Sequence, residues 1–206
     1  MCFLRVTGLG RTYLEEEKLE QAANTFVEAL NLTQDLEYTL GQADATLGLA
    51  EVSLLQNHVD QALTAATAAF QLYTDEHNAL GIAHASRFLG EIHLRRGQLS
   101  SATSMMEHAL RTYQAAAFQV GVAETLAGLG EIQRRHGFLE PALQVLLEAR
   151  GHAHDLQNQR VENRILLSIG DIYRQQGQVG QAKSVYSDAR VCAEEPGKPG
   201  DAHGIA

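Results

Sequence analysis

Small residues recur at one register every 40 residues: Gly10, Ala50, Gly90, Gly130 and Gly170. Each follows a branched aliphatic residue, namely Leu9, Leu49, Leu89, Leu129 and Ile169. Twelve residues after each small residue stands an alanine (Ala22, Ala62, Ala102, Ala142, Ala182), and seven further on another (Ala29, Ala69, Ala109, Ala149, Ala189). A chain that copies itself at such an interval stacks one supersecondary unit against the next, and each unit touches only its neighbours.

The unit is helical. Apolar residues recur at i, i+3, i+4 and i+7, the spacing of one helical face. In the fourth copy Leu126, Leu129 and Ile132 form one stripe and Leu139, Ala142, Leu146 and Ala149 a second. Between them lies Arg134-Arg135-His136-Gly137, matched by Arg95-Arg96-Gly97 and Gln175-Gln176-Gly177. Cations suit the negative end of a helix and glycine its left-handed cap, so each copy reads as helix A, a tight turn, and helix B. The spacing predicts A helices near 2–16, 40–56, 78–96, 119–136 and 159–176, and B helices near 20–33, 60–73, 100–115, 140–154 and 180–193. The units are 1–40, 41–80, 81–120, 121–160 and 161–193, expected to form one domain, with 194–206 a flexible Pro- and Gly-rich tail.

Leu89-Gly90-Glu91-Ile92-His93 followed by Gly97, Leu99, Ala102, Met106 and Ala109, and Ile169-Gly170-Asp171-Ile172-Tyr173 followed by Gly177, Val179, Ala182, Tyr186 and Ala189, carry a known pattern. It resembles the tetratricopeptide repeat, over roughly residues 1–193. The tryptophan position of that pattern holds Val6, Thr46, Ser86, Leu126 and Leu166. The 40-residue period is similar to that of G-protein-signalling adaptors, kinesin-light-chain-like proteins and sensor segments of large bacterial regulators. The resemblance implies an all-α, right-handed α-solenoid of five helix-turn-helix repeats, a protein-binding job, and a concave groove lined by A helices.

Carried over residue by residue, the groove positions are Thr7, Arg11 and Leu14, then Asp44, Leu47, Glu51 and Leu54, then His84, Arg87, Glu91 and Leu94. The last two units add Glu124, Ala127, Glu131 and Arg134, then Arg164, Leu167, Asp171 and Arg174. A helices stacked about 10 Å apart would align Glu51, Glu91, Glu131 and Asp171 as a carboxylate ladder. Two readings stay open. Each acid pairs with a neighbouring arginine on its own helix (Arg87 with Glu91, Arg134 with Glu131, Arg174 with Asp171). Or the ladder draws in a partner with basic residues while the C-terminal end accepts an anion.

The net charge of −9 argues against a nucleic-acid partner, since phosphate contacts need a basic face. No apolar run approaches membrane-span length, which excludes a spanning helix. Cys2 and Cys192 lie at opposite ends of the repeat array, an arrangement expected of a reducing, cytoplasmic setting. No catalytic, cofactor or metal site is expected. His152 and His154 are two apart and point to different sides of a helix, and His93 sits at the tyrosine position of the motif as a packing residue. The glycines occupy repeat positions and form no phosphate loop.

These observations predict a protein-interaction scaffold that holds a peptide or helix in its groove. The alternative is a sensory or regulatory segment of a larger signalling or transcription-regulating protein. Phe3, Leu4, Val6 and Leu9 at one end, with Val185, Tyr186, Val191 and Cys192 at the other, predict self-association through an end or a fragment of a longer array.

Overall fold

Each helix after the first starts where a three-residue turn releases the chain, and each turn holds a residue in the left-handed region. Gly97, Gly137 and Gly177 take φ of +72°, +85° and +76°. The N–H of Gly97 donates to the Leu94 carbonyl and that of Gln98 to the His93 carbonyl, the paired bonds of a Schellman cap. The same bonds recur at Asn57–His58, Glu37–Tyr38 and Gln157–Asn158, where φ is positive although the residues are not glycine.

The computed structural model describes residues 2–194, and the side chains of 5–193. Ten helices and no strand are present among them: α1 (Cys2–Glu15), α2 (Leu19–Asp35), α3 (Thr39–Leu55), α4 (Val59–Asp75), α5 (Ala79–Arg95), α6 (Leu99–Ala115), α7 (Gln119–Arg135), α8 (Leu139–Asp155), α9 (Gln159–Gln175) and α10 (Val179–Glu194). Odd-numbered helices are the A helices and even-numbered ones the B helices. Helix starts 39, 79, 119 and 159, and 19, 59, 99, 139 and 179, fall at a constant interval. Expected boundaries differ by at most two residues. Glu194, assigned to the tail from sequence, ends α10 instead. The remaining tail and the side chains of Cys2, Phe3 and Leu4 lie outside the described residues.

The contacts group into two compact units, Met1–Thr112 and Tyr113–Ala206. Each is an all-α helical-repeat solenoid. In the first, α1 packs on α2, α2 on α3, α3 on α4 and α4 on α5, while the A helices α1, α3 and α5 also touch in sequence. In the second, α7 packs on α8, α8 on α9 and α9 on α10, with α7 against α9. Adjacent A helices therefore form an inner layer, and the B helices present an outer side to solvent.

The repeated alanines lie in the seams where helices pack. Ala22, Ala62, Ala102, Ala142, Ala29, Ala69, Ala109 and Ala149 are all fully buried. The small A-helix residue makes room for a B-helix side chain 16 positions later. A Cβ on Gly10 would lie 2.8 Å from Phe26, on Gly90 2.8 Å from Met106, and on Gly130 2.6 Å from Leu146. Where the A residue is Ala50, its counterpart is Ala66. Buried hydroxyls turn back on their own helix: Thr33 donates to the Ala29 carbonyl (2.9 Å) and Thr125 to that of Gly121 (2.6 Å).

Candidate interaction surface

Helical spacing puts Asp44 and Glu51 of α3, and His84, Arg87 and Glu91 of α5, on the A-helix faces of the first unit. All five are partly buried. Asp44 accepts a 2.6 Å hydrogen bond from the Tyr73 hydroxyl of α4, so this carboxylate is held from the B layer. Glu91 lies 4.0 Å from Arg87 Nη1 and 3.7 Å from Arg95 Nη2. Both are long contacts, and Arg95 gives its other amino group to the Leu54 carbonyl at 3.1 Å, satisfying the C-terminal end of α3. Arg96 reaches Asp60 at the start of α4 at 3.5 Å. The Arg95-Arg96 pair thus ties neighbouring helices together and does more than face solvent. His93 bonds through Nδ1 to Gln98 Oε1 at 2.7 Å, spanning the turn into α6.

In the second unit the acids are tightly matched. Arg134 grips Glu131 with two hydrogen bonds of 2.7 Å, and Arg135 adds one of 2.9 Å. Burial pushes the Glu131 carboxyl up, but the bonds from Arg134 and Arg135 outweigh it and leave it below its ordinary value. Asp171 behaves alike: burial raises it, and the Tyr186 hydroxyl (2.7 Å) and Arg174 (3.2 Å) bring it below normal. Arg134 also feels Asp171 and Arg174 across the α7–α9 contact, so four charges act as one network. Glu124 is half-buried on α7, and Arg164 stands exposed on α9.

Several groove positions expected from sequence are in the seams between helices. Thr7, Leu14, Leu54, Leu94 and Ala127 are buried. Leu54 joins Ala50, Ala62, Phe88 and Ile92 in one apolar cluster, because this side of α3 turns toward α5. Val185, expected to be bare at the array's end, is also buried at 3% exposure. The Tyr73–Asp44 and Tyr186–Asp171 bonds were not apparent from sequence. Their separations of 29 and 15 residues differ, so no repeated spacing signals them.

No group of histidine, cysteine, aspartate or glutamate suited to a metal ion occurs among the described residues. His154 Nδ1 instead lies 3.8 Å from Glu162. No described helix is long and apolar enough to cross a membrane.

Residues 164–189 match the family model of the tetratricopeptide repeat. No curated protein matches the sequence. Among solved structures, a Rap protein complexed with Competence and Sporulation Factor is similar at TM-score 0.83 and 14% identity, covering 93% of this chain and 54% of that one. The Rap conjugation gene regulator of plasmid pLS20, in complex with the Phr* peptide, gives 0.79 and 16%, covering 93% and 53%. BtubC from P. vanneervenii gives 0.70 and 17%, covering 98% and 84%. The chain spans about half the length of the two Rap chains. At these identities the likeness shows the fold. The chain is a tetratricopeptide-like helical-repeat protein, with residues 164–189 identified as a tetratricopeptide repeat.

Proposed function

We propose that the chain is a non-enzymatic interaction scaffold that binds a protein or peptide along the exposed faces of its A helices. One observation carries the reading: α7 and α9 lie side by side and hold Glu131, Arg134, Asp171 and Arg174 in one partly exposed network. Arginines already ordered by their carboxylates lose little further freedom when a partner docks. Two of the similar structures are complexes, one with Competence and Sporulation Factor and one with the Phr* peptide, which supports the same use of the fold here.

The charges assign the partner's polarity place by place. Glu91, whose arginines stand off at 3.7 and 4.0 Å, suits a lysine or arginine of the partner. Glu131 and Asp171 are saturated by their own arginines, so the segment beside them carries acceptors for Arg135 and Arg174. The test is capture from native lysate by the intact chain and by Glu91→Lys, followed by titration of the purified partner. Loss of binding in the charge-reversed chain is expected. Equal affinity for both forms overturns use of the A-helix faces.

A second reading is a sensory or regulatory segment of a larger protein, the size relation the chain has to the two Rap chains (54% and 53% covered) and does not have to BtubC (84% covered). Sequencing the full gene decides it: an adjoining effector domain supports the segment, and its absence removes it.

A further inference from the structure

The turn between α7 and α8 departs from the other copies of the repeat at three neighbouring residues. The residue just before each B helix is exposed in all five copies: Lys18, His58, Gln98, Phe138 and Gln178. Four of these are polar, and the fifth leaves a phenyl ring 59% exposed. Helices precede and follow this turn in the chain, so the exposure belongs to the position and not to an end of the array. In two copies this residue crosses the turn to the side chain five positions earlier. Gln98 Oε1 lies 2.7 Å from His93 Nδ1, and Lys18 Nζ lies 6.0 Å from the centre of the Tyr13 ring. In the fourth copy that earlier residue is Gln133, whose buried Oε1 meets no hydrogen-bond donor among the described residues.

Phe138 stacks on the imidazole of His136, with ring centres 5.8 Å apart and planes 18° from parallel. At the register of His136, Arg96 lies 3.5 Å from Asp60, and the Gln176 amide donates to Glu140 at 2.7 Å. Both reach an acid 36 residues earlier, and for His136 the sequence has Ser100 there. A carboxylate is therefore what this register meets in the copies on either side. Arg135, exposed in the same turn beside Glu131, adds a cation.

We propose that the α7–α8 turn docks an acidic segment of a partner protein. An aromatic or leucine side chain of that segment covers the open side of Phe138, and its carboxylates meet His136 and Arg135 as Asp60 meets Arg96. Two copies of this turn would set Arg135 against Arg135 and bring no carboxylate to His136, so charge complementarity favours a foreign acidic segment. The site lies on the turns at the ends of the A helices, beyond the faces considered above.

The chain contains no tryptophan, so the fluorescence of the tetrapeptide acetyl-Asp-Trp-Glu-Leu-amide reads its complex with the full chain directly. Titration should give a saturable shift that weakens as salt rises, and the His136 ring proton signals should move with the same midpoint. Phe138→Gln should weaken binding about tenfold, and Phe138→Tyr should retain it. Phe138→Gln places the residue of position 98 opposite Gln133 and should melt no lower than wild type. A lower melting temperature makes the ring a structural element and overturns the proposal. Glu91→Lys should bind the peptide unchanged, which separates this result from the A-helix reading. No saturable binding, equal binding by Phe138→Gln, or equal binding of acetyl-Lys-Trp-Lys-Leu-amide also overturns it. So does a molar mass that doubles with concentration in wild type and not in Phe138→Gln, which assigns the ring to a second copy.

Discussion

Phe26 of α2 lies so close to Gly48 of α3 that a Cβ at 48 would come 2.5 Å from its ring. Gly10 of α1 borders the same ring, at 2.8 Å for its missing Cβ. One hairpin later the arrangement is reversed. Ala66 stands at the register of Phe26 and Ala50 at that of Gly10, and the phenyl group comes instead from Phe88, at the register of Gly48. One aromatic ring fills each slot, but it is supplied from opposite walls.

Exchanging the walls should therefore be tolerated. Phe26→Ala alone should lose about 3–5 kcal/mol, the range for an emptied aromatic site. Gly48→Ala alone should lose about 1–3 kcal/mol by overpacking. Phe26→Ala with Gly48→Phe should recover most of the first loss. Urea denaturation in a double-mutant cycle reads the coupling, and strictly additive losses would contradict the slot description.

Ala117, between α6 and α7, has φ of +51°, a conformation costly to any residue with a Cβ. Ala117→Gly should stabilise by roughly 1 kcal/mol, and Gly137→Ala, at φ +85°, should destabilise by a similar amount. Thermal melts giving both changes the same sign would refute this.

Ala142 is fully buried where α8 approaches α7. Ala142→Leu should lose about 1–3 kcal/mol by overpacking, whereas Glu16→Leu, exposed in a turn, should change little. A melt of Ala142→Leu matching wild type would mean that this crossing has spare volume.

Acid should weaken the second unit. The carboxyls of Glu131 and Asp171 are depressed in the folded state, so their contribution is present above the ordinary carboxylate pKa and is lost as pH falls through the lower folded values. Glu131→Gln should flatten that part of the stability–pH curve, and Tyr186→Phe should flatten the part due to Asp171. Parallel acid profiles for wild type and Glu131→Gln, followed by hydrogen exchange in residues 113–193, would exclude a folding role for this network.

The repeat register, the helix boundaries and the glycine caps at 97, 137 and 177 were legible in the residue order, because each depends on groups within a turn or two of one another. A second glycine series was missed. A Cβ on Gly41 would meet Thr33 and Tyr38, and one on Gly121 would meet Tyr113 and Phe118, at 2.5–2.8 Å. Those conflicts exist only once a turn folds one helix back on its predecessor. The same-helix pairs of Glu91, Glu131 and Asp171 were readable from spacings of three and four residues.

Which A-helix residues reach solvent was decided by the stacking. Leu14, Leu54 and Leu94 share a helical register with Arg134 and Arg174, yet those leucines are buried and Arg174 is exposed. Helical periodicity defines a face only relative to its own axis. The rotation of each helix toward its neighbour then selects which stripe becomes seam and which becomes surface. That rotation follows from the packed volumes of side chains such as Phe26, set against Leu14 and Val52, and Phe88, set against Leu54 and Ala66, whose neighbours come from other helices and meet them only in the assembled layers.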